Sequence, residues 1–210
     1  MNNPEYNLKI ILLAAGKSQR FNGIKLLAKV QQQDSSITLI EHALHQISGA
    51  LNTLNISQKN IRVATGLYHS QLSALFNDPD LLDYCEDAHL GLGHTIAQSV
   101  RHILNNDQST SHIMIALADQ VALSVDNYIA LIEESVVSPT KLVCAKAGQE
   151  LMPPAIFTSA YFSELTHLKG DKGAKPLLHK NKENLKTVSI PHAEKDIDTR
   201  QDLNNWHNDK

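Results

Sequence analysis

One stretch near the start of the chain concentrates small residues and cations: Ala14-Ala15-Gly16-Lys17-Ser18-Gln19-Arg20-Phe21-Asn22-Gly23-Ile24-Lys25. Small residues at 14 to 16 let backbone N–H groups come close to an anion, because no bulky side chain blocks the path. Arg20 and Lys25 then add full positive charges, a combination that suits a triphosphate. Gly16-Lys17-Ser18 imitates the tail of a P-loop, but that motif needs a glycine five positions before Gly16, and Ile11 stands there. The G-x-G-x-x-G dinucleotide pattern is missing as well. Spacing alone leaves two readings open, a phosphate-binding loop and a solvated turn.

A carboxylate with metal-binding potential follows the apolar run His112-Ile113-Met114-Ile115-Ala116-Leu117-Ala118: Asp119, with Gln120 after it. Magnesium binds nucleotides through one or two carboxylates together with phosphate oxygens and water. A capping or turn aspartate is the other reading of Asp119. Of the 11 histidines, only His42 and His45 approach ligand spacing, one helical turn apart, without a cysteine or carboxylate partner at zinc-type spacing. Exposed histidines on a helix face are the better account. Cys85 and Cys144 form no metal-like spacing and read as two buried thiols in a reducing compartment.

These residues need a scaffold, and the chain alternates two periodicities that supply one. Apolar, β-branched runs predict strands at Lys9–Ala14, Ile61–Thr65, His112–Ala118, Lys141–Ala145, Ala155–Phe157 and Leu185–Ile190. Helical spacing predicts helices over Thr38–Ile47 with a stop at Gly49, Ser70–Phe76, Thr95–Leu104, Val125–Val137, Ala160–Leu168, Ala174–His179 and after Thr199. Asn77 to Asp80 reads as loop. Alternation of this kind implies a three-layer α/β/α domain with a mostly parallel, Rossmann-like sheet, spanning residues 1 to 210 as one unit. Ligands of such sheets sit at the carboxyl ends of strands, which directs attention to the residues after Ala14 and Ala118.

Composition narrows the classes. With 42% hydrophobic and 20% charged residues, the chain is an ordinary globular protein, long enough to bury a core without a metal or disulfide staple. A net charge of −3 gives no footprint for sequence-independent nucleic-acid binding. Met1 to Leu8 lacks a basic region followed by a long apolar stretch, and the apolar run Ile10 to Ala15 is too short to span a bilayer. No membrane partner and a cytoplasmic location are therefore expected.

The run Leu13-Ala14-Ala15-Gly16-x-Ser18-x-Arg20-Phe21, with Lys25 beyond, resembles the signature loop of the MobA-like NTP transferases. Within that superfamily it is most similar to the molybdenum cofactor cytidylyltransferase group. Asn22 stands where these proteins usually carry glycine, with Gly23 next; asparagine tolerates left-handed backbone better than most residues. Further matches follow in order. Asp119-Gln120 resembles L-x-D-Q-P, with Val121 in place of the proline, and Gly91-Leu92-Gly93-His94-Thr95-Ile96 resembles G-M-G-x-S-L. Pro153-Pro154-Ala155-Ile156-Phe157 and Gly170-Asp171-Lys172-Gly173-Ala174-Lys175 are similar to P-A-L-F and G-D-x-G-A-R. Asp196-Ile197-Asp198-Thr199, with Asp202-Leu203, is similar to D-x-D-T-x-x-D-L.

The resemblance implies a Mg2+-dependent nucleotidyltransferase. It implies that Leu13, Ala14, Ala15, Gly16, Ser18, Arg20, Lys25, Gly93 and Thr95 bind nucleotide, and that Lys25, Arg20 and Asp119 carry catalysis. Asp119 is the implied metal ligand, with Asp198 as a second contact, although Thr199 and Asp202 could reduce the Asp198 segment to a helix cap. Pro154, Gly170, Asp171 and Gly173 fall on the implied acceptor side. Alanine at 15, where guanylyl types carry glycine, favours CTP as donor, with molybdopterin as acceptor and a molybdenum hydroxylase as recipient. Transfer to another phosphorylated acceptor, such as a sugar phosphate, and a non-catalytic carrier of the finished cofactor are the alternatives.

Overall fold

The computed structural model describes residues 6–32 and 35–208. The first strand, β1 (Leu8–Ala14), sends Ile10 and Leu12 to one face and Ile11 and Leu13 to the other, and both faces are buried. That is the period-two outcome of a continuous apolar run placed in the middle of a sheet. A hairpin follows, β2 (Lys29–Gln32) and β3 (Ser35–Thr38), then helix α1 (Leu39–Thr53). Strand β4 (Ile61–Thr65), the short helix α2 (His69–Ser73), β5 (Leu82–Tyr84) and helix α3 (Leu92–Asn106) come next. Strand β6 (His112–Leu117), helix α4 (Val125–Val137), β7 (Leu142–Ala147) and β8 (Glu150–Thr158) complete the sheet's centre. The chain closes through α5 (Phe162–Thr166), α6 (Lys175–Lys180), β9 (Leu185–Ser189) and α7 (Arg200–Asn208).

Seven strands form one sheet in the order β5-β4-β1-β6-β8-β7-β9, and only β8 runs against its neighbours. The expected mostly parallel α/β/α architecture is therefore observed. One core packs α1, α4 and α7 against the Ile10–Leu12 face, and a second packs α3, α5 and α6 against the Ile11–Leu13 face. β1 and β6 lie side by side with Leu13 opposite Leu117, so the loops after them emerge together. That adjacency builds the site.

Several boundaries depart from the sequence reading. Helix α1 runs through Gly49 to Thr53 instead of stopping, since its stop signal is a packing device: a Cβ at 49 would lie 2.8 Å from Val125 Cγ2. The hairpin β2–β3 and the three-residue β5 were not expected; both are too short to display a period. Strand β8 is nine residues long rather than three, and continues through both prolines. Pro153 and Pro154 fall where the β7 register skips from Cys144 to Ala145, so their missing N–H groups interrupt no ladder bond. His42 is buried, not exposed, with Nε2 at 3.1 Å from the Val121 carbonyl. Cys85 and Cys144 are free and buried, as expected.

The Gly49 contact gives a signed prediction. Alanine normally stabilises a helix interior by about 1 kcal/mol over glycine. Here the clash with a β-branched side chain costs about 1–3 kcal/mol, so Gly49→Ala should lower stability in urea unfolding. A gain in midpoint would show that α1 and α4 have room to separate.

Candidate active site

The loop after β1 is pinned rather than loose. Phe21 is 2% exposed and sits in the α1-side core, a burial worth roughly 1.5–3 kcal/mol. The Arg200 guanidinium stacks over its ring at 5.1 Å. Ser18 and Asn22 both adopt positive φ, 51° and 54°, and Gly23 has φ 140°. The departure at Asn22 thus keeps the left-handed geometry that glycine would supply. Ser18 Oγ accepts a hydrogen bond from the Lys25 backbone N–H at 3.2 Å, closing the loop on itself. The loop delivers Lys25, on a short turn from 25 to 27, to the ends of β1 and β6.

There Lys25 Nζ lies 2.6 Å from Asp119 Oδ2 and 3.0 Å from Asp198 Oδ1. Burial pulls the amine's pKa down, but the Asp119 charge and the hydrogen bonds to both carboxylates outweigh it, so it stands above the ordinary lysine value. Lys25 therefore stays charged at neutral pH. Arg20 donates to Asp198 Oδ2 at 2.6 Å, yet its side chain is 72% exposed. An exposed pair of that kind is worth at most about 1 kcal/mol, so Arg20 is free to exchange Asp198 for an incoming anion. Lys25 is not.

Asp198 is positioned from behind. Asp202 Oδ2 accepts the N–H groups of Asp198 at 3.0 Å and Thr199 at 2.7 Å, while Thr199 Oγ1 accepts from the Asp202 N–H at 3.1 Å. The expected capping box is therefore present, and the Asp198 carboxylate still reaches Lys25. Gln120, buried, donates to the Pro153 and Ala193 carbonyls at 3.0 and 2.7 Å and holds β8 and the 190s segment beside Asp119.

The cleft around these groups encloses about 680 Å³. Leu13, Ala15, Gly16, Ser18, Arg20 and Lys25 line one side of it. Asp119, Asp198, Thr95 and Asp171 contribute from other segments. Five expected residues do not line it: Ala14, Gly93, Pro154, Gly170 and Gly173. Ala14 is buried in the sheet. The Gly93 N–H is taken by the Gly170 carbonyl at 2.7 Å, so it cannot serve a phosphate. Its role is close approach, since a Cβ at 93 would lie 2.7 Å from the Lys169 carbonyl oxygen. Gly91, at φ 120°, meets Gly170 just as tightly, and His94 Nδ1 accepts the Gly170 N–H at 3.2 Å. Gly170 and Gly173 thus build a turn clamped onto the start of α3, and Pro154 is buried while Pro153 and Ala155 line a smaller apolar pocket beside the cleft.

Sequence reasoning gave no role to Ala88 and His89, which line the cleft from the turn Glu86–Leu90, nor to Asp196. Glu86–Leu90 carries no motif of its own; Asp196 was visible only as part of the closing motif. Crowding that strips water from Asp196, then the charges of Asp119 and Asp198, push its carboxyl up to about 7 against the pull of Lys25. Asp196 is nonetheless an exposed residue by surface area, so solvent tempers both the loss of water and the repulsion.

The carboxylates fit a divalent cation. Asp119 and Asp198 aim at one point, the Lys25 amine, and Asp119 Oδ1 is buried with no hydrogen-bond partner. Among the described residues, no three metal-ligating side chains converge. Two oxygen ligands completed by a substrate's phosphates are what a nucleotide-bound Mg2+ or Mn2+ uses, in place of an all-protein cage.

Comparison with known proteins decides the family. The profile of the MobA-like NTP transferase domain matches residues 10–185. The chain belongs to that family. The purine catabolism protein PucB of Bacillus subtilis is 30% identical over 169 residues, covering 80% of this chain and 78% of PucB. The crystal structure of Rv0371c from Mycobacterium tuberculosis superposes with a TM-score of 0.77 at 21% identity, covering 97% and 98% of the two chains. The same protein has been crystallised in complex with manganese, with a TM-score of 0.74 at 19% identity over 97% of this chain and 98% of that one. Molybdopterin-guanine dinucleotide biosynthesis protein A from Archaeoglobus fulgidus shares the fold, with a TM-score of 0.61 at 14% identity over 95% and 97% of the chains. The chain is a nucleotidyltransferase of the MobA-like type, and among its described residues no helix is long and apolar enough to cross a membrane.

The raised Asp196 pKa predicts a pH effect. Below about pH 4, near the unperturbed aspartate value, folded and unfolded chains both hold the proton. As pH rises toward 7 the unfolded chain loses it first, so stability declines across that window. In EDTA, Asp196→Asn should match wild type at the acid end and exceed it above pH 7 in denaturant unfolding. Parallel stability curves would show that Asp196 is not crowded.

Proposed function

We propose that this protein transfers a cytidylyl group from CTP to the terminal phosphate of molybdopterin and releases pyrophosphate. The observation that supports it most is the Lys25 amine held between Asp119 and Asp198 in the lining of a cleft of about 680 Å³. An acceptor phosphate oxygen forms a bond to the α-phosphorus. The bond from that phosphorus to its bridging oxygen breaks, and the electron pair leaves with pyrophosphate. A phosphate dianion needs no general base, so the protein's work is positioning and charge neutralisation.

In this reading Ala15, Gly16 and Ser18 line the triphosphate's path. Lys25 neutralises charge on the α-phosphate, and Arg20, weakly tied to Asp198, swings to the leaving group. Asp119 and Asp198 hold Mg2+, which supplies charge neutralisation and alignment of the triphosphate when bound; the manganese complex of Rv0371c supports a divalent ion. The name of the Archaeoglobus neighbour supports a molybdopterin acceptor. Its guanine donor is not carried over, because Ala15 places a methyl where guanylyl types have glycine, crowding a purine and suiting a pyrimidine. A molybdenum hydroxylase is the proposed recipient of the product, the cytoplasm the proposed compartment, and residues 1 to 210 one functional unit.

Pyrophosphate release from purified protein with Mg2+ and each of CTP, GTP, ATP and UTP, with and without molybdopterin, tests this. Release with CTP and molybdopterin alone is expected. Stronger release with GTP would overturn the base assignment, and silence with all four would favour a carrier of finished cofactor. Lys25→Met should lose roughly 10²–10³-fold in turnover, the scale of losing one charge-stabilising donor, with an unchanged circular-dichroism spectrum. Near-normal turnover would remove Lys25 from the chemistry.

A further inference from the structure

Four charged side chains of alternating sign form a row along the cleft: Arg20, Asp198, Lys25 and Asp119. Arg20 holds Asp198 Oδ2, while Lys25 bridges Asp198 Oδ1 and Asp119 Oδ2. Two positive and two negative charges cancel, so the row is balanced as it stands. Its two cations differ in access to water. The Arg20 side chain is largely exposed, whereas that of Lys25 is 11% exposed.

Lys25 serves its partners incompletely. Asp119 Oδ1 is buried without a hydrogen-bond partner, although Oδ2 of the same carboxylate is bonded to the amine. A buried acceptor left without a donor is costly. A divalent ion carries twice the charge of an ammonium and approaches oxygen to about 2.0–2.1 Å for Mg2+, against 2.6 and 3.0 Å for the amine. The two aspartates therefore suit a stronger cation than the one between them. The amine and a divalent ion cannot share that point, because the ion would bring net positive charge into a balanced row. Salt screens buried charges too little to offset this.

We propose that Lys25 is a two-position residue that stands in for the divalent ion. Its amine holds Asp119 and Asp198 together and keeps a free ion out. When a nucleotide's phosphates arrive with an ion, the amine moves onto the phosphates and cedes the aspartates. Unlike Arg20, Lys25 does not leave for an anion alone, because two desolvated carboxylates would lose their partner. An ion without phosphate and a phosphate without an ion are both disfavoured. The proposal rests on reading Asp119 and Asp198 as the metal ligands, and on neither the base nor the acceptor.

The test needs no acceptor. Mn2+ is titrated into full-length, nucleotide-free protein, and the free ion is read from its electron paramagnetic resonance signal. Wild type should bind no more than about twofold tighter than Asp119→Asn, since Lys25 already holds that carboxylate. Lys25→Met should bind at least tenfold tighter than wild type, within the roughly 5–150-fold range of coupled sites. Adding Asp119→Asn to Lys25→Met should abolish the gain, as a double-mutant cycle requires of a direct pair. Lys25→Arg, which keeps the charge, should bind as weakly as wild type. A smaller gain in Lys25→Met, a gain that survives Asp119→Asn, or the same gain in Lys25→Arg would each overturn the proposal. So would wild type binding more than twofold tighter than Asp119→Asn, a comparison that decides alone if Lys25→Met fails to fold. The Lys25→Met gain without pyrophosphate release by wild type from any nucleotide would sustain the stand-in and refute the transferase reading. Release by wild type without that gain would do the reverse.

Discussion

An ammonium group shielded from water between two carboxylates is costly unless its partners are held in place, because each desolvated charge loses several kcal/mol of hydration. Lys25 is 8% exposed, and its partners come from sequence positions 94 and 173 residues away. Everything near the sheet's carboxyl edge serves that convergence. Parallel pairing of β1 with β6 puts the Lys25 loop and Asp119 side by side. A backbone bond from the Ile197 N–H to the Asp119 carbonyl, 3.1 Å, brings in the segment that carries Asp198. Phe21 anchors the loop in the core, and Asp202 fixes the Asp198 backbone.

The same arrangement explains how a cleft that holds a cation cluster can accept a polyanion. Lys25 is fixed by two carboxylates, whereas Arg20 is tied to one of them at the surface. A triphosphate with a divalent ion brings the charges that let these pairs be exchanged without leaving any group bare. The preformed cluster thus maintains the geometry of the site through charge pairing within the protein itself, which is the requirement for electrostatic preorganisation.

A second constraint links the two halves of the molecule. The turn at 169–173 lies directly on the first residues of α3, and neither Gly91 nor Gly93 leaves room for a Cβ between them. The start of α3 borders the cleft, and the turn borders both the cleft and the apolar pocket. The glycines of two motifs far apart in sequence are therefore one packing contact. The Gly93 and Gly170 N–H groups are both engaged within the contact.

Sequence determined what local periodicity and residue chemistry can determine. The helix α4 was legible to its ends because Ser124 and Asn127 cap it and its apolar spacing is regular. β1 and β6 were legible because fully buried strands are continuous apolar runs, and with them the placement of Lys25 and Asp119 at strand ends. The left-handed residue at Asn22 was readable from its chemistry. Gly49, Pro154, Gly93 and His42 were not, because a glycine that makes space is the same letter as one that ends a helix. Likewise, a proline opposite a register skip reads like a strand breaker, and a buried histidine like an exposed one. Asp196 gained its raised pKa only from the loss of water and the nearby carboxylates that folding brought to it. Tertiary structure alone decided which groups share a dielectric environment and which backbones touch, since both depend on distances that the order of residues does not contain.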